Sequence, residues 1–232
     1  MLDSADITRK LIKELLDDTH NDIPRKKIVR KQRSTCGEKI AIPFGDSSPV
    51  RDEIISALHK RTATRIWSQR TVPATMLFEI LRFAWDLVFL NEEDRAADFP
   101  RLEIILIANG VDCLTRAIYE LDVMRRTANP VFKPTSGNDL KGLVLQEEFE
   151  KAPVLITIGT DLSNSNAHEY REQMIRASML AYHAWLKSIE LGLVGSVFAG
   201  LLPSPLRNLI EFDGVSRHQL FALALGYPSE LD

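Results

Sequence analysis

Two arginines four residues apart, Arg61 and Arg65, are the first residues in this chain whose type and spacing suggest chemistry. They stand in the run Arg61-Thr62-Ala63-Thr64-Arg65-Ile66-Trp67, at a helix-to-loop junction. Two planar guanidinium forks converging on one dianion can hold a phosphate, although the same spacing also occurs in exposed pairs that only meet solvent. Tyr170 and Arg171 open the longest helical pattern and could orient a substrate; a Tyr and an Arg at a helix start are also common surface residues. The five histidines show no HExxH spacing and share no ligand face, and Cys36 and Cys113 lie outside any CxxC or Cys/His cluster. No metal site and no disulfide framework are therefore predicted. Glycine-rich phosphate or dinucleotide fingerprints are absent. His183 falls one residue past an apolar stripe and reads as a packing histidine.

The elements that must position these residues follow from periodicity. Residues 5–18 read as an amphipathic helix carrying Ile7, Leu11, Ile12, Leu15 and Leu16, followed by a polar, basic stretch to Glu38. Pro49 opens a second helical segment, and Pro73 a third through Met76, Leu77, Ile80, Leu81, Ala84, Leu87 and Val88. Strands are predicted at Leu102–Ala108, Ala117–Leu121 and Val154–Gly159, the last apolar enough to be buried on both faces. A long helix runs from about Ala167 to Leu191, with Met174, Ala177, Ser178, Ala181, Tyr182, Trp185, Leu186 and Ile189 as its stripe and Gly192 as its stop. Pro203 and Pro205 frame a short helix to Ile210, and Leu220–Leu225 closes the chain as a strand. Helices come first, then strands, so the class is α+β rather than a regularly alternating doubly wound sheet. The division expected is an N-terminal helix and basic arm over 1–45 and one domain over 46–232.

Composition sets the limits. With 45% hydrophobic and 26% charged residues the chain is ordinary globular protein, and a net charge of −3 argues against a nucleic-acid binder. The one basic cluster, Arg25, Lys26, Lys27, Arg30, Lys31 and Arg33, reads as a solvated segment. Neither a signal peptide nor a membrane span is evident, which makes the cytoplasm the expected location.

The Arg-x-x-x-Arg-plus-aromatic segment, followed by a loop and an amphipathic helix, is similar to the opening of nitroreductase-family proteins, where it lines the phosphate of FMN. The later half, Leu102 to Asp122, Tyr170-Arg171, Leu191-Gly192-Leu193, Ala199-Gly200 and Leu223 to Pro228, resembles the azoline-oxidase branch of that family in order and spacing. The resemblance implies a nitroreductase-like α+β fold, a mostly antiparallel sheet packed with long central helices, and a homodimer with FMN sites between subunits. Arg61, Ala63 and Arg65 would meet the flavin phosphate, and Ala199 and Gly200 would bring bare backbone to the ring. Ser178 would hold the long helix close to its neighbours. Tyr170 and Arg171 remain the substrate candidates, the substrate being peptide-derived or a small aromatic. Departures are also plain. Ala63 replaces the usual Ser, Asp94 to Asp98 replaces a Pro-Ser-x-Gly loop, and Asn164-Ser165 stand where a Lys-Tyr pair removes protons. The alternative expectation is a non-catalytic relative that binds a partner or peptide in a biosynthetic complex.

Overall fold

Runs dominated by Ile, Val and Leu settle best between two covering layers, and they do so here. In the computed structural model, which describes residues 35–43, 58–59, 61–89, 102–136, 139–162, 165, 167–214 and 216–229, strand β2 (Leu102–Ala108) is buried at every position. Strand β5 (Val154–Asp161) is buried at all but its last. They pair with each other at the centre of a seven-stranded antiparallel sheet. The remaining strands are β1 (Ile40–Ala41), β3 (Ala117–Asp122), β4 (Thr127–Phe132), β6 (Val194–Phe198) and β7 (Arg217–Gly226), in the order β1-β4-β3-β2-β5-β7-β6. The α+β class and the nitroreductase-like architecture expected from the sequence are what the structure has.

Alternation along the strands divides the core. Ile104, Leu106, Ile156, Ile158, Leu223 and Leu225 face helices α1 (Ala74–Val88) and α3 (Ala167–Glu190). Ile105, Ile107, Leu155, Ala222 and Ala224 face the short helices α2 (Glu147–Glu150) and α4 (Pro203–Ile210). Pro73 precedes α1 and offers no side-chain cap, so the first amide, that of Ala74, donates instead to the Asp112 carboxylate.

Three strands escape the sequence reading: the two-residue β1, and β4 and β6. β4 contains Pro130, and β6 contains Gly195, residues that normally argue against a strand interior. Pro130 is tolerated beside a register shift between β3 and β4, and its carbonyl accepts the amide of Cys36. The buried face of α3 is also turned from the expected stripe. Gln173, Ala177, Leu180, Ala181, Ala184, Lys187 and Ser188 are buried while Met174 is 39% exposed. A hydrophobic period misses this face because three of its positions, Gln173, Lys187 and Ser188, are polar and internally satisfied. Gln173 bonds the Thr160 hydroxyl, and Lys187 pairs with Glu190. Ser178 consequently does not bind α3 to its neighbours; its exposed hydroxyl donates to the Ile175 carbonyl at 2.7 Å.

The chain leaving β1 is held by Arg126, which sits in the left-handed region (φ 51°) at the β3–β4 turn. Its carbonyl accepts the Ile42 amide at 2.8 Å and its guanidinium donates to the Pro43 carbonyl at 2.7 Å. Ile42 is thereby seated in the core. The helix predicted over 5–18, the segment from Pro49 to 57, the basic cluster of 25–33, the 94–98 loop and the 45/46 boundary lie outside the described residues.

Candidate functional site

The arginine segment runs along the outer rim of β6. Ala63 forms a parallel bridge with Gly195, the Thr64 amide donates to the Gly195 carbonyl at 3.1 Å, and Trp67 bridges Pro228. Trp67 is the anchor: its ring is buried in the second core cluster and its Nε1 donates to the Val194 carbonyl at 3.3 Å. Glycine is required at 195, because a Cβ there would lie 2.0 Å from the Ala224 carbonyl oxygen. Register is thus fixed at Ala63 and Trp67, and Arg61 and Arg65 project from an exposed stretch between and beside them.

Their side chains take different directions. Arg61 donates a hydrogen bond to the Tyr182 hydroxyl, and its guanidinium carbon lies 5.4 Å from the Tyr182 ring centre and 5.6 Å from that of Trp185. Arg65 lies 5.8 Å over the ring of Phe149, which itself stacks on Phe198 at 4.0 Å. Trp185 packs against the α1/α3 face of the sheet and Phe149 belongs to the opposite face. Directed to rings on opposite faces of the sheet, the two cations do not converge on one point. Among the described residues neither forms an ion pair with a carboxylate. Each is a positive charge resting on neutral aromatic surface, ready for an anion.

Ala199 and Gly200 follow β6 on the Phe198 side, with Ala199 exposed. A Cβ on Gly200 would meet nothing closer than Leu145 at 3.6 Å, so protein packing does not demand a glycine here. The Gly200 carbonyl accepts the Leu145 amide at 2.7 Å, and the Leu145 side chain is 70% exposed beside it. Tyr170 and Arg171 stand at the start of α3, where the Tyr170 ring meets His218 edge-on at 6.4 Å. Twelve helical residues separate Tyr170 from Tyr182, about 18 Å, so this pair is remote from Arg61.

Tyr182, Trp185, Phe149 and Phe198 are the residues around the two cations that sequence reasoning left unassigned. The signal for the first two was their i,i+3 spacing on α3, which reads equally as core stripe. His183, the neighbour of Tyr182, is half-buried, and burial holds its pKa below the ordinary imidazole value. Asp139 is pulled down to about 2 by the Ser136 hydroxyl, then by the Ser136 and Thr135 amides, within a local turn. No metal-binding group of His, Cys, Asp or Glu occurs among the described residues, and no helix among them is long and apolar enough to cross a membrane.

The chain has the nitroreductase fold, and solved structures on which it superposes include proteins described as nitroreductases. A protein from Anabaena variabilis described as a nitroreductase superposes with a TM-score of 0.63 at 18% identity, over 83% of this chain and 42% of the other. The chain therefore spans less than half the length of that protein. The Escherichia coli microcin synthetase McbBCD complex, solved with truncated pro-MccB17 bound, matches with a TM-score of 0.57 at 14% identity over 99% of both chains. A Staphylococcus epidermidis protein described as an NAD(P)H:FMN oxidoreductase matches with a TM-score of 0.54 at 12% identity, over 81% of this chain and 92% of the other. Identity this low speaks to fold alone. No family model matches the sequence. Curated proteins give no sequence match either.

Proposed function

We propose that the chain is an FMN-dependent oxidoreductase that works as a homodimer, with Arg61 as the principal holder of the flavin phosphate. The observation that carries this reading is the exposed Arg61 guanidinium, cornered by two aromatic rings and not ion-paired among the described residues, at the rim where the phosphate motif falls. The site fits the group at that point. Bound FMN would supply hydride chemistry with NAD(P)H or a substrate. Ala63 offers backbone only, and Arg65, held over Phe149, stays apart from the phosphate that Arg61 would hold. Ala199 and Gly200 supply the low main chain for the flavin ring, where a side chain would stand in the way. Tyr170 and Arg171 are the proposed substrate contacts; their distance from Arg61 suits an extended, peptide-derived substrate. A cytoplasmic location accords with this chemistry.

Freshly purified protein is expected to be yellow, with oxidised-flavin absorbance, or to take up added FMN. Arg61→Ala is expected to weaken FMN binding by about 10- to 100-fold, the worth of a charged hydrogen bond of roughly 1.5–3 kcal/mol, measured by flavin fluorescence titration. Colourless protein that takes up no FMN would overturn the proposal.

The dimer is expected to use the outward face of α3. Met174, Ile175 and Met179 are 39%, 59% and 38% exposed there, an apolar strip on an otherwise polar side. Ile175→Glu is expected to convert a dimer to a monomer in light scattering after size exclusion; an unchanged mass would remove this face from consideration.

A second reading is supported by a different observation. Arg65 rests on Phe149, and Leu145 borders Gly200, so that end of the site already has protein contacts. A non-catalytic scaffold that binds a partner or peptide in a biosynthetic complex would have this arrangement. A colourless protein isolated with a stoichiometric partner, unaffected by Arg61→Ala, would establish it.

A further inference from the structure

We propose that Tyr182 is a positioning residue that sets Arg61 for the cofactor phosphate, an inference that rests on the flavin reading above. An arginine on an exposed extended segment ordinarily samples many rotamers, and fixing it on binding has an entropic cost. Here that freedom is removed beforehand. The Tyr182 hydroxyl accepts one guanidinium N–H, and the Tyr182 and Trp185 rings, 6.3 Å apart and inclined at 77°, form a corner for the planar cation. Both rings come from one helix at i,i+3 spacing, so the corner is as rigid as α3. A phenol is suited to the task because it is neutral. A carboxylate in its place would orient the arginine equally well but cancel the charge an anion needs. With one donor engaged, four of the five guanidinium N–H groups stay available, enough for a two-point contact with phosphate. The route is a sequence of contacts: α3 fixes the rings, the rings fix the cation, the cation fixes the phosphate.

The test compares FMN with riboflavin, which has the same ring system and no phosphate. Dissociation constants for both are measured by fluorescence titration on the wild type, Tyr182→Phe, Arg61→Ala and the double variant. The wild type is expected to prefer FMN. Tyr182→Phe keeps the ring and loses the hydroxyl, and is expected to weaken FMN about 10-fold while leaving riboflavin unchanged. The double variant is expected to bind FMN no more weakly than Arg61→Ala alone, since Tyr182 acts only through Arg61. Arg61→Lys, at an exposed site that leaves the fold intact, keeps the charge but cannot fill the corner, and is expected to lose most of the preference for FMN. Equal losses on both ligands, or no loss on either, in Tyr182→Phe would overturn the positioning role while the flavin reading stands. A wild type that does not distinguish the two ligands, or binds neither, would overturn the flavin phosphate site and the positioning role with it.

Discussion

Lys187→Met is expected to destabilise the fold by about 3–5 kcal/mol, the cost of leaving a buried charge without its partner. The Lys187 side chain is 3% exposed, between α1 and α3. Its ammonium lies 2.5 Å from Glu190, 3.8 Å from Glu79 and 5.4 Å over the Phe83 ring. The Glu190 side chain is only 5% exposed, so without Lys187 its carboxylate must either take a proton or draw water into the helix interface. Removing both partners removes the problem, and Lys187→Met with Glu190→Gln is expected to recover most of the loss. Chemical denaturation of the two variants and the wild type checks this. For a chain of this size the single variant corresponds to a fall in Tm of about 6–20 °C. A single variant as stable as the wild type would mean that the pair contributes nothing.

Gly195→Ala is expected to cost about 3 kcal/mol, towards the upper end for overpacking, because the obstacle is backbone rather than a movable side chain. The added carbon would lie 2.0 Å from the Ala224 carbonyl oxygen and 2.8 Å from a Leu225 methyl. Relief requires β6 to draw away from β7, and β6 carries the Ala63 bridge and the Thr64 hydrogen bond that align the arginine segment. Stability and flavin binding should therefore fall together. Gly200→Ala is the control: its new methyl meets only ordinary contacts, so its Tm should move by no more than the equivalent of about 0.5 kcal/mol, and an effect on flavin uptake would be specific. Equal thermal losses in the two variants would show that the β6 contact is not what demands a glycine.

The elements legible in the sequence are those whose burial is written in side-chain type. Leu102–Ala108 and Val154–Gly159 are dominated by Ile, Leu and Val, with only Glu103 and Thr157 polar among them, and their strands are found there. β4 and β6 were hidden because Pro130 and Gly195 are punctuation in isolation and become strand residues only through partners far away in the chain. The inner face of α3 was misplaced for a related reason: Gln173 and Lys187 are polar by type and buried by pairing. At the candidate site the sequence supplied the arginines but not their directions. Spacing alone brings Arg61 and Arg65 close; the extended backbone along β6 turns one to Tyr182 and the other to Phe149. Tyr182 was visible only as one more apolar position on a helix.

Both margins of the sheet are partly covered by stretches that come earlier in the chain than the strands they touch. Ile40–Ala41 lies against β4, and the Ala63 and Trp67 bridges flank the far side at β6 and the end of β7. On a ribosome these guards leave the tunnel before the strands whose open hydrogen bonds they will occupy. A nascent sheet with a waiting guard at each margin has little time to recruit a neighbouring polypeptide, the hazard that attends every unpaired strand.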